Sequence, residues 1–339
     1  MYQALYRKWR PKTFSQVVGQ DHITGTLQRQ VAEGRTAHAY LFTGTRGTGK
    51  TTCARILAKA VNCLHPEDGA PCNQCEACRG IDSGSLLDVT ELDAASNSRV
   101  DDIRELLSES VYTPTVLKKR VYIIDEVHML STQAFNALLK TIEEPPAYAV
   151  ILLLTTNADA FLPTIRSRCV MLDVKPVNDE KIREFLMKQR QIPDYKAEVC
   201  AAFARGNVGR AMNLASSERF NELKDFTTQL LRRLGDIPKY DLLQEIKPLN
   251  DFKDDIREFF DLVLFWYRDV LLYKAAATEE QLIFREEAYE IRRQSEKCSY
   301  AGLQHILDAI DTADRRIRAN VNFDLTMEML ALTIKENIR

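Results

Sequence analysis

Gly44-Thr45-Arg46-Gly47-Thr48-Gly49-Lys50-Thr51 is the stretch that decides how this chain folds. The apolar run Ala39-Tyr40-Leu41-Phe42 precedes it and reads as a buried strand. Cys53-Ala54-Arg55-Ile56-Leu57-Ala58-Lys59-Ala60-Val61 follows it and reads as a helix. Strand, glycine loop and helix in that order make a phosphate-binding P-loop. Its glycines let backbone N–H groups turn inward around phosphate oxygens. Lys50 brings a positive charge to the β- and γ-phosphates, and Thr51 brings a hydroxyl to Mg²⁺. The helix N-terminus adds its dipole. Nucleotide contacts are expected from Gly44, Thr45, Gly47, Thr48, Gly49, Lys50, Thr51 and Thr52. A glycine-rich turn that binds nothing is the alternative, but every required position is filled.

Working outward, strand and helix patterns alternate up to Lys175-Pro176. The candidate strands are Ala39–Phe42, Leu87–Leu92, Arg120–Asp125, Val150–Thr155 and Val170–Val174. Such alternation predicts an α/β fold, a parallel sheet with helices on both faces. Val121-Tyr122-Ile123-Ile124 is apolar throughout, as a central parallel strand should be. A helix begins near Ser131, and Pro145-Pro146 stops it. Beyond Pro176 the strand signal ends and helical patterns take over. Asp236-Ile237-Pro238 reads as a linker between two helical parts. Phe259, Phe260, Leu262, Val263, Phe265 and Trp266 make an apolar face wider than one amphipathic stripe needs. That helix is either deeply buried or packed on another subunit.

The strand at Val121–Ile124 ends in Asp125-Glu126, an acidic pair at the carboxyl end of a buried strand. Asp125 would hold Mg²⁺, directly or through water, and Glu126 would polarise an attacking water. Asp125 could instead start the next helix as a cap, but a P-loop followed by such a strand favours the catalytic reading. The pair also argues against a nucleotide kinase, which needs no water activator. A further strand ends Leu153-Leu154-Thr155-Thr156-Asn157. Thr156 or Asn157 could contact the γ-phosphate or orient water, a weak signal because polar residues end most strands. Arg168, in Ser167-Arg168-Cys169, could serve as a finger on a neighbour's nucleotide, although most exposed arginines are structural.

Cys63, Cys72, Cys75 and Cys78 follow the P-loop helix in a C-x8-C-x2-C-x2-C pattern. Four thiolates at this spacing suit tetrahedral Zn²⁺ in a closed, structural site. A [4Fe–4S] cluster could use the same four residues, but the surrounding chain carries no redox motif. His65 lies near a shell that is already full and reads as a solvated loop residue.

With 339 residues, about two or three domains are expected. The net charge of −2 gives no global attraction to nucleic acid, so any DNA contact needs a local basic surface. No stretch is apolar enough to span a membrane, and the start, from Met1 to Arg10, lacks an apolar signal core. A cytoplasmic protein is expected, with its eight cysteines as thiols or metal ligands rather than disulfides.

Together these residues resemble the gamma/tau family of bacterial DNA polymerase III clamp-loader ATPases, of the AAA+ class. The resemblance rests on Tyr6-Arg7-Lys8-Trp9-Arg10-Pro11, Val18-Gly19-Gln20, the P-loop and the four-cysteine insert. It also rests on Glu91-Leu92-Asp93-Ala94-Ala95-Ser96, Asp125-Glu126-Val127-His128-Met129-Leu130 and Asn136-Ala137-Leu138-Leu139-Lys140. Glu143-Glu144-Pro145-Pro146 and Ser167-Arg168-Cys169 complete it, all within about the first 175 residues. The implied architecture is an AAA+ P-loop domain with a five-stranded parallel sheet (1–175), a small helical lid (176–238) and a helical oligomerisation collar (239–339). The implied function is an ATP-dependent subunit of a circular five-subunit loader, which opens a ring-shaped sliding clamp and places it on primed DNA. Its partners would be delta, delta-prime and further gamma/tau copies, the clamp, and DNA without regard to sequence. Its cofactors would be ATP, Mg²⁺ and structural Zn²⁺.

The resemblance makes Arg168 a finger acting on the next subunit, and places Val17 and Val18 on the adenine side of the pocket. Helices beginning near Asn97 and Ser131 would face DNA, with Ser98 and Arg99 the candidate phosphate contacts; a solvated Arg99 is the alternative. The collar would account for the wide face at Phe259–Trp266. Two departures stand out. The family's lid carries Gly-x-x-Arg, whereas Gly206-Asn207-Val208-Gly209-Arg210 puts Gly209 in the arginine's place. The chain also stops after the collar, without the long tail of tau-type subunits, as expected of a gamma-length protein, a truncated chain or a delta-prime-like paralogue. Both leave room for a delta-prime-like stator that presents Arg168 without cycling its own ATP. A branch-migration helicase is a more distant alternative, opposed by the cysteine insert.

Overall fold

The computed structural model describes residues 10–96, 112–157 and 163–338. The chain divides into two compact units, Met1–Phe185 with Ala204–Met212, and Leu186–Phe203 with Asn213–Arg339.

The first unit is built on five strands: β1 (Ala39–Thr43), β2 (Val89–Asp93), β3 (Arg120–Asp125), β4 (Ala149–Thr155) and β5 (Val170–Asp173). All pair in parallel, in the order β2-β3-β4-β1-β5. The expected α/β sheet is present. Central strands β1 and β4 are buried along their whole length, and alternate residues feed opposite layers. Tyr40 and Phe42 pack with Ile56 and Leu57 of helix α1 (Lys50–Asn62). Ala39 and Leu41 pack on the other side with Leu138 and Ile142 of helix α2 (Thr132–Glu143). The Ser131 hydroxyl accepts the Ala134 N–H and starts α2 where the sequence places it.

Two boundaries differ from expectation by two residues or more, and others by one. Helix α1 begins at Lys50 rather than Cys53, because the loop itself supplies its first turn. Strand β2 begins at Val89 rather than Leu87. Leu87 is 85% exposed, and the next residue, Asp88, turns its carboxylate inward to accept three amides, from Thr115, Val116 and Leu117. That bonding commits the Asp88 side chain to residues 115–117, while its carbonyl already accepts the Val121 N–H of β3 at 2.8 Å.

The second unit is helical. The helix Ile256–Ala276 buries Phe259, Phe260, Leu262, Val263 and Trp266 against helices Glu218–Arg233, Ala288–Lys297 and Tyr300–Arg318. Most of the wide apolar face is therefore buried within its own unit, the first of the two alternatives the sequence leaves open, with Phe265 half-buried. The Trp266 indole donates to Gln294 Oε1 at 3.0 Å, and Gln294 donates onward to Leu231 C=O at 2.9 Å. Lys335, almost wholly buried, donates to Leu234 and Gly235 carbonyls at the end of Glu218–Arg233. Asp236-Ile237-Pro238 lies inside this unit, and Ile237 is buried. No helix among the described residues is long and apolar enough to cross a membrane.

Candidate nucleotide and metal sites

The loop 44–49 leaves the carboxyl end of β1 and runs into α1. Gly44 adopts φ +137°, and a Cβ there would lie 2.1 Å from the Val174 carbonyl oxygen. Only glycine fits. Lys50, 6% exposed, donates from Nζ to Gly44 O at 2.7 Å and Thr45 O at 2.9 Å. Burial holds its ammonium below the ordinary lysine range, while Asp125 and Glu126 pull upward. Thr48 Oγ1 donates to Thr45 O, drawing the loop closed. A loop with three positive-φ glycines and a buried lysine at a helix N-terminus fits a polyphosphate.

The acidic pair lies where the sequence reading requires it. Thr51 Oγ1 donates to Asp125 Oδ2 at 2.8 Å, bringing the two expected Mg²⁺ ligands together. Two hard oxygen donors, one of them anionic, fit that ion. Asp125 Oδ1 accepts the Glu126 N–H at 2.8 Å, and Glu126 stands in the left-handed region at φ +48°. That conformation costs a non-glycine residue roughly 1–2 kcal/mol and ends β3 abruptly. In the sheet β4 separates β1 from β3, so its tip falls between loop and acid pair. There Thr156 Oγ1 lies 3.5 Å from Glu126 Oε2, and the Asn157 N–H bonds Thr155 Oγ1. The structure thus joins Lys50, Thr51, Asp125, Glu126 and Thr156 in one cluster. Thr52, the third residue of α1, is half-buried.

Cys63 leaves the far end of α1. Cys75 caps the helix α3 (Glu76–Ser83), and Cys78 lies in its first turn. The four Sγ atoms of Cys63, Cys72, Cys75 and Cys78 lie within 4.8 Å of one another, with Cys63 and Cys75 4.0 Å apart. Zinc with four Zn–S bonds of about 2.3 Å would hold the sulfurs about 3.8 Å apart. Cys72 Sγ accepts the amides of Gln74 and Cys75, which hold its thiol below the ordinary range. At Cys75 burial works upward, but amide donation from Leu64 and Cys78 outweighs it and brings the thiol to about 6. Burial pushes the Cys63 and Cys78 thiols upward, so it is the clustering of the four sulfurs that fits a thiophilic metal. The buried Lys59 of α1 bonds Asn73 Oδ1 at 2.7 Å and Asp82 Oδ1 at 3.0 Å, fastening the module to the helix.

Arg168 donates to Thr164 O at 2.6 Å and pairs with Glu143 Oε1 at 3.1 Å. Its guanidinium is exposed but engaged within the chain. Val17 is buried in the core with Phe14 and Ile23, and Val18 is half-buried beside it. Ser98, Arg99 and the helix start near Asn97 lie outside the described residues. Arg210 donates its backbone N–H to Asn207 Oδ1 at 2.9 Å, so Asn207 caps the helix Val208–Ser216. The same Asn207 donates from Nδ2 to Arg46 O in the loop at 3.4 Å.

Two family models match: "DNA polymerase III, delta subunit" over residues 19–178, and "DNA polymerase III, delta subunit, C terminal" over 217–336. The tau subunit of DNA polymerase III from Bacillus subtilis (strain 168) is 38% identical, over 94% of this chain and 60% of its own length. The gamma subunit from Buchnera aphidicola subsp. Schizaphis graminum is 32% identical over 98% of this chain and 97% of its own. The chain belongs to the DNA polymerase III gamma/tau family. It spans 29% to 60% of the length of the first curated gamma and tau relatives. Among solved structures, a gamma subunit-related protein from Thermotoga maritima is similar at TM-score 0.44 and 22% identity, covering 93% of this chain and 99% of that one.

Three partners in this gamma/tau chain escaped the sequence reading: Lys59, Asn207 and His128. Asn207 carried a partial signal, since Asn before a helix suggests a cap. Its bond to Arg46 crosses 161 positions and has no local trace. His128 lies 3.6 Å from Glu126 through Nδ1.

Proposed function

We propose that this chain is an ATP-hydrolysing subunit of the DNA polymerase III clamp loader. The Thr51–Asp125 contact of 2.8 Å carries the reading, because it joins loop and acid pair as a P-loop ATPase needs. Bound ATP with Mg²⁺ would supply the phosphoanhydride to be cleaved. Lys50 would neutralise phosphate charge, Thr51 and Asp125 would hold the ion, Glu126 would orient water and take its proton, and Thr156 would sense the γ-phosphate. Val17 and Val18 would flank the base, and Arg168 would exchange Glu143 for a neighbour's nucleotide. Ser98 and Arg99 would contact phosphates of primed DNA. The cysteine cluster would hold one structural Zn²⁺. The division into ATPase part, lid and collar, assembly with delta, delta-prime and further copies, the clamp as substrate and the cytoplasm as compartment belong to the same proposal.

The test is hydrolysis by the full chain mixed with the other loader subunits, clamp and primed DNA. Lys50→Ala should abolish stimulated turnover; wild-type turnover would sink the proposal. Gly209, standing where the family's lid arginine would be, favours a second reading, a stator that presents Arg168 without cycling its own ATP. It wins if Glu126→Gln leaves loader ATPase unchanged while Arg168→Ala cripples it.

A further inference from the structure

His128 sits in the short turn Val127–Met129 that follows β3, half-buried. Its Nδ1 lies 3.1 Å from Thr155 Oγ1 and 3.6 Å from Glu126 Oε2. Thr155, wholly buried at the end of β4, donates from Oγ1 to Asn157 O at 3.1 Å and accepts the Asn157 N–H at 3.0 Å. A hydroxyl has one hydrogen, and a carbonyl can only accept. When that hydrogen goes to Asn157 O, the contact with His128 takes its hydrogen from Nδ1. Glu126 demands the same, because a ring lone pair facing a carboxylate oxygen would be repelled. At 3.6 Å that second contact is electrostatic rather than a full hydrogen bond. Free neutral imidazole prefers its hydrogen on Nε2, so this surrounding reverses the ordinary tautomer.

We infer that His128, as the Nδ1–H tautomer, is a positioning residue that ties the Glu126 carboxylate to the tip of β4. It acts through Glu126 and touches no reacting atom. Thr156 contacts the same oxygen, Oε2, from the β4 side. With Thr156 donating to Oε2 and His128 facing it, Oε1 is the oxygen left to face water. The left-handed backbone at Glu126 aims the side chain, and His128 fixes where it stops. The inference rests on the reading of Glu126 as the water-orienting residue.

Two measurements on the full chain test it. Nitrogen NMR of histidine-labelled protein, with the signal lost in His128→Asn taken as His128, should show hydrogen on Nδ1. A hydrogen on Nε2 overturns the tether, and this readout needs no turnover. In the assembled loader, His128→Ala should lower kcat about tenfold with KM for ATP unchanged. His128→Asn places an amide N–H near Nδ1 and should recover to within about threefold, whereas His128→Gln should not. Equal loss in the Asn and Ala variants, or a rise in KM alone, overturns the inference. If the Ala variant fails to fold, the wild-type spectrum and the Asn variant decide. Wild-type turnover in Glu126→Gln would sink the hydrolysis reading instead, leaving the tautomer to be judged by its spectrum.

Discussion

Gly47 has no side chain because Asn207 stands where one would be. A Cβ at Gly47 would lie 1.9 Å from Asn207 Nδ2, and its φ of +81° strains any other residue. Gly47→Ala should destabilise the first unit by about 2 kcal/mol and weaken nucleotide binding. Adding Asn207→Ala removes the clash but not the strained backbone, so only part of the loss should return. Thermal melts and titration with a fluorescent nucleotide check both variants; full recovery in the double variant would refute the assignment of strain to position 47. Lys50, Thr51 and Asp125 were legible in the sequence because each belongs to a short run whose chemistry is local. Asn207 and His128 were not, since the fold alone supplies their partners, Arg46 and Thr155.

At the level of elements, β3 and β4 were readable from their unbroken apolar runs, and α2 from its Ser131 cap and the prolines beyond it. The edge strand β2 was readable too, but its start was not, because the buried Asp88 carboxylate bonds the amides of Thr115, Val116 and Leu117 there. Burial pushes the Asp88 carboxyl upward, but the amides of Thr115, Leu117 and Val116, with Arg120, outweigh it and leave it below the ordinary range. The sign follows from linkage. A carboxyl depressed in the folded state stabilises above the unfolded value of about 3.9, and that stabilisation is lost as pH falls through the folded value. Asp88→Asn should therefore cost about 2 kcal/mol near neutral pH, with the gap to wild type closing below about pH 4. Denaturant melts across that range decide it; a pH-independent gap would mean that Asp88 acts by shape alone. The wide face at Phe259–Trp266 was legible as buried, but its cover was not. Three helices of the same unit supply it, one earlier and two later in the chain, and apolar residues look alike whichever surface they meet.

For the whole molecule, the two units make the effect of metal separable. Elemental analysis should find about one Zn²⁺ per chain, from the single four-sulfur donor set. Iron, or no metal, would refute it. Stripping the metal should remove about 3 kcal/mol from the first unit, a shift of about 10 °C in its midpoint. The second unit, reported by Trp266 fluorescence in a Trp9→Phe background, should melt unchanged. A shift of the Trp266 transition would mean that the cluster supports the whole chain.

Helix α1 carries Lys50 and Thr51 at one end and delivers Cys63 at the other. Its 13 residues make a rod of about 20 Å, without proline or glycine to bend it. A rod without a joint cannot tilt at one end alone. The cysteine module, bolted on through Lys59, is thus the far bearing of the lever that aims the phosphate-binding lysine. Loosening that bearing would blur the aim of Lys50 without altering a single residue of the loop.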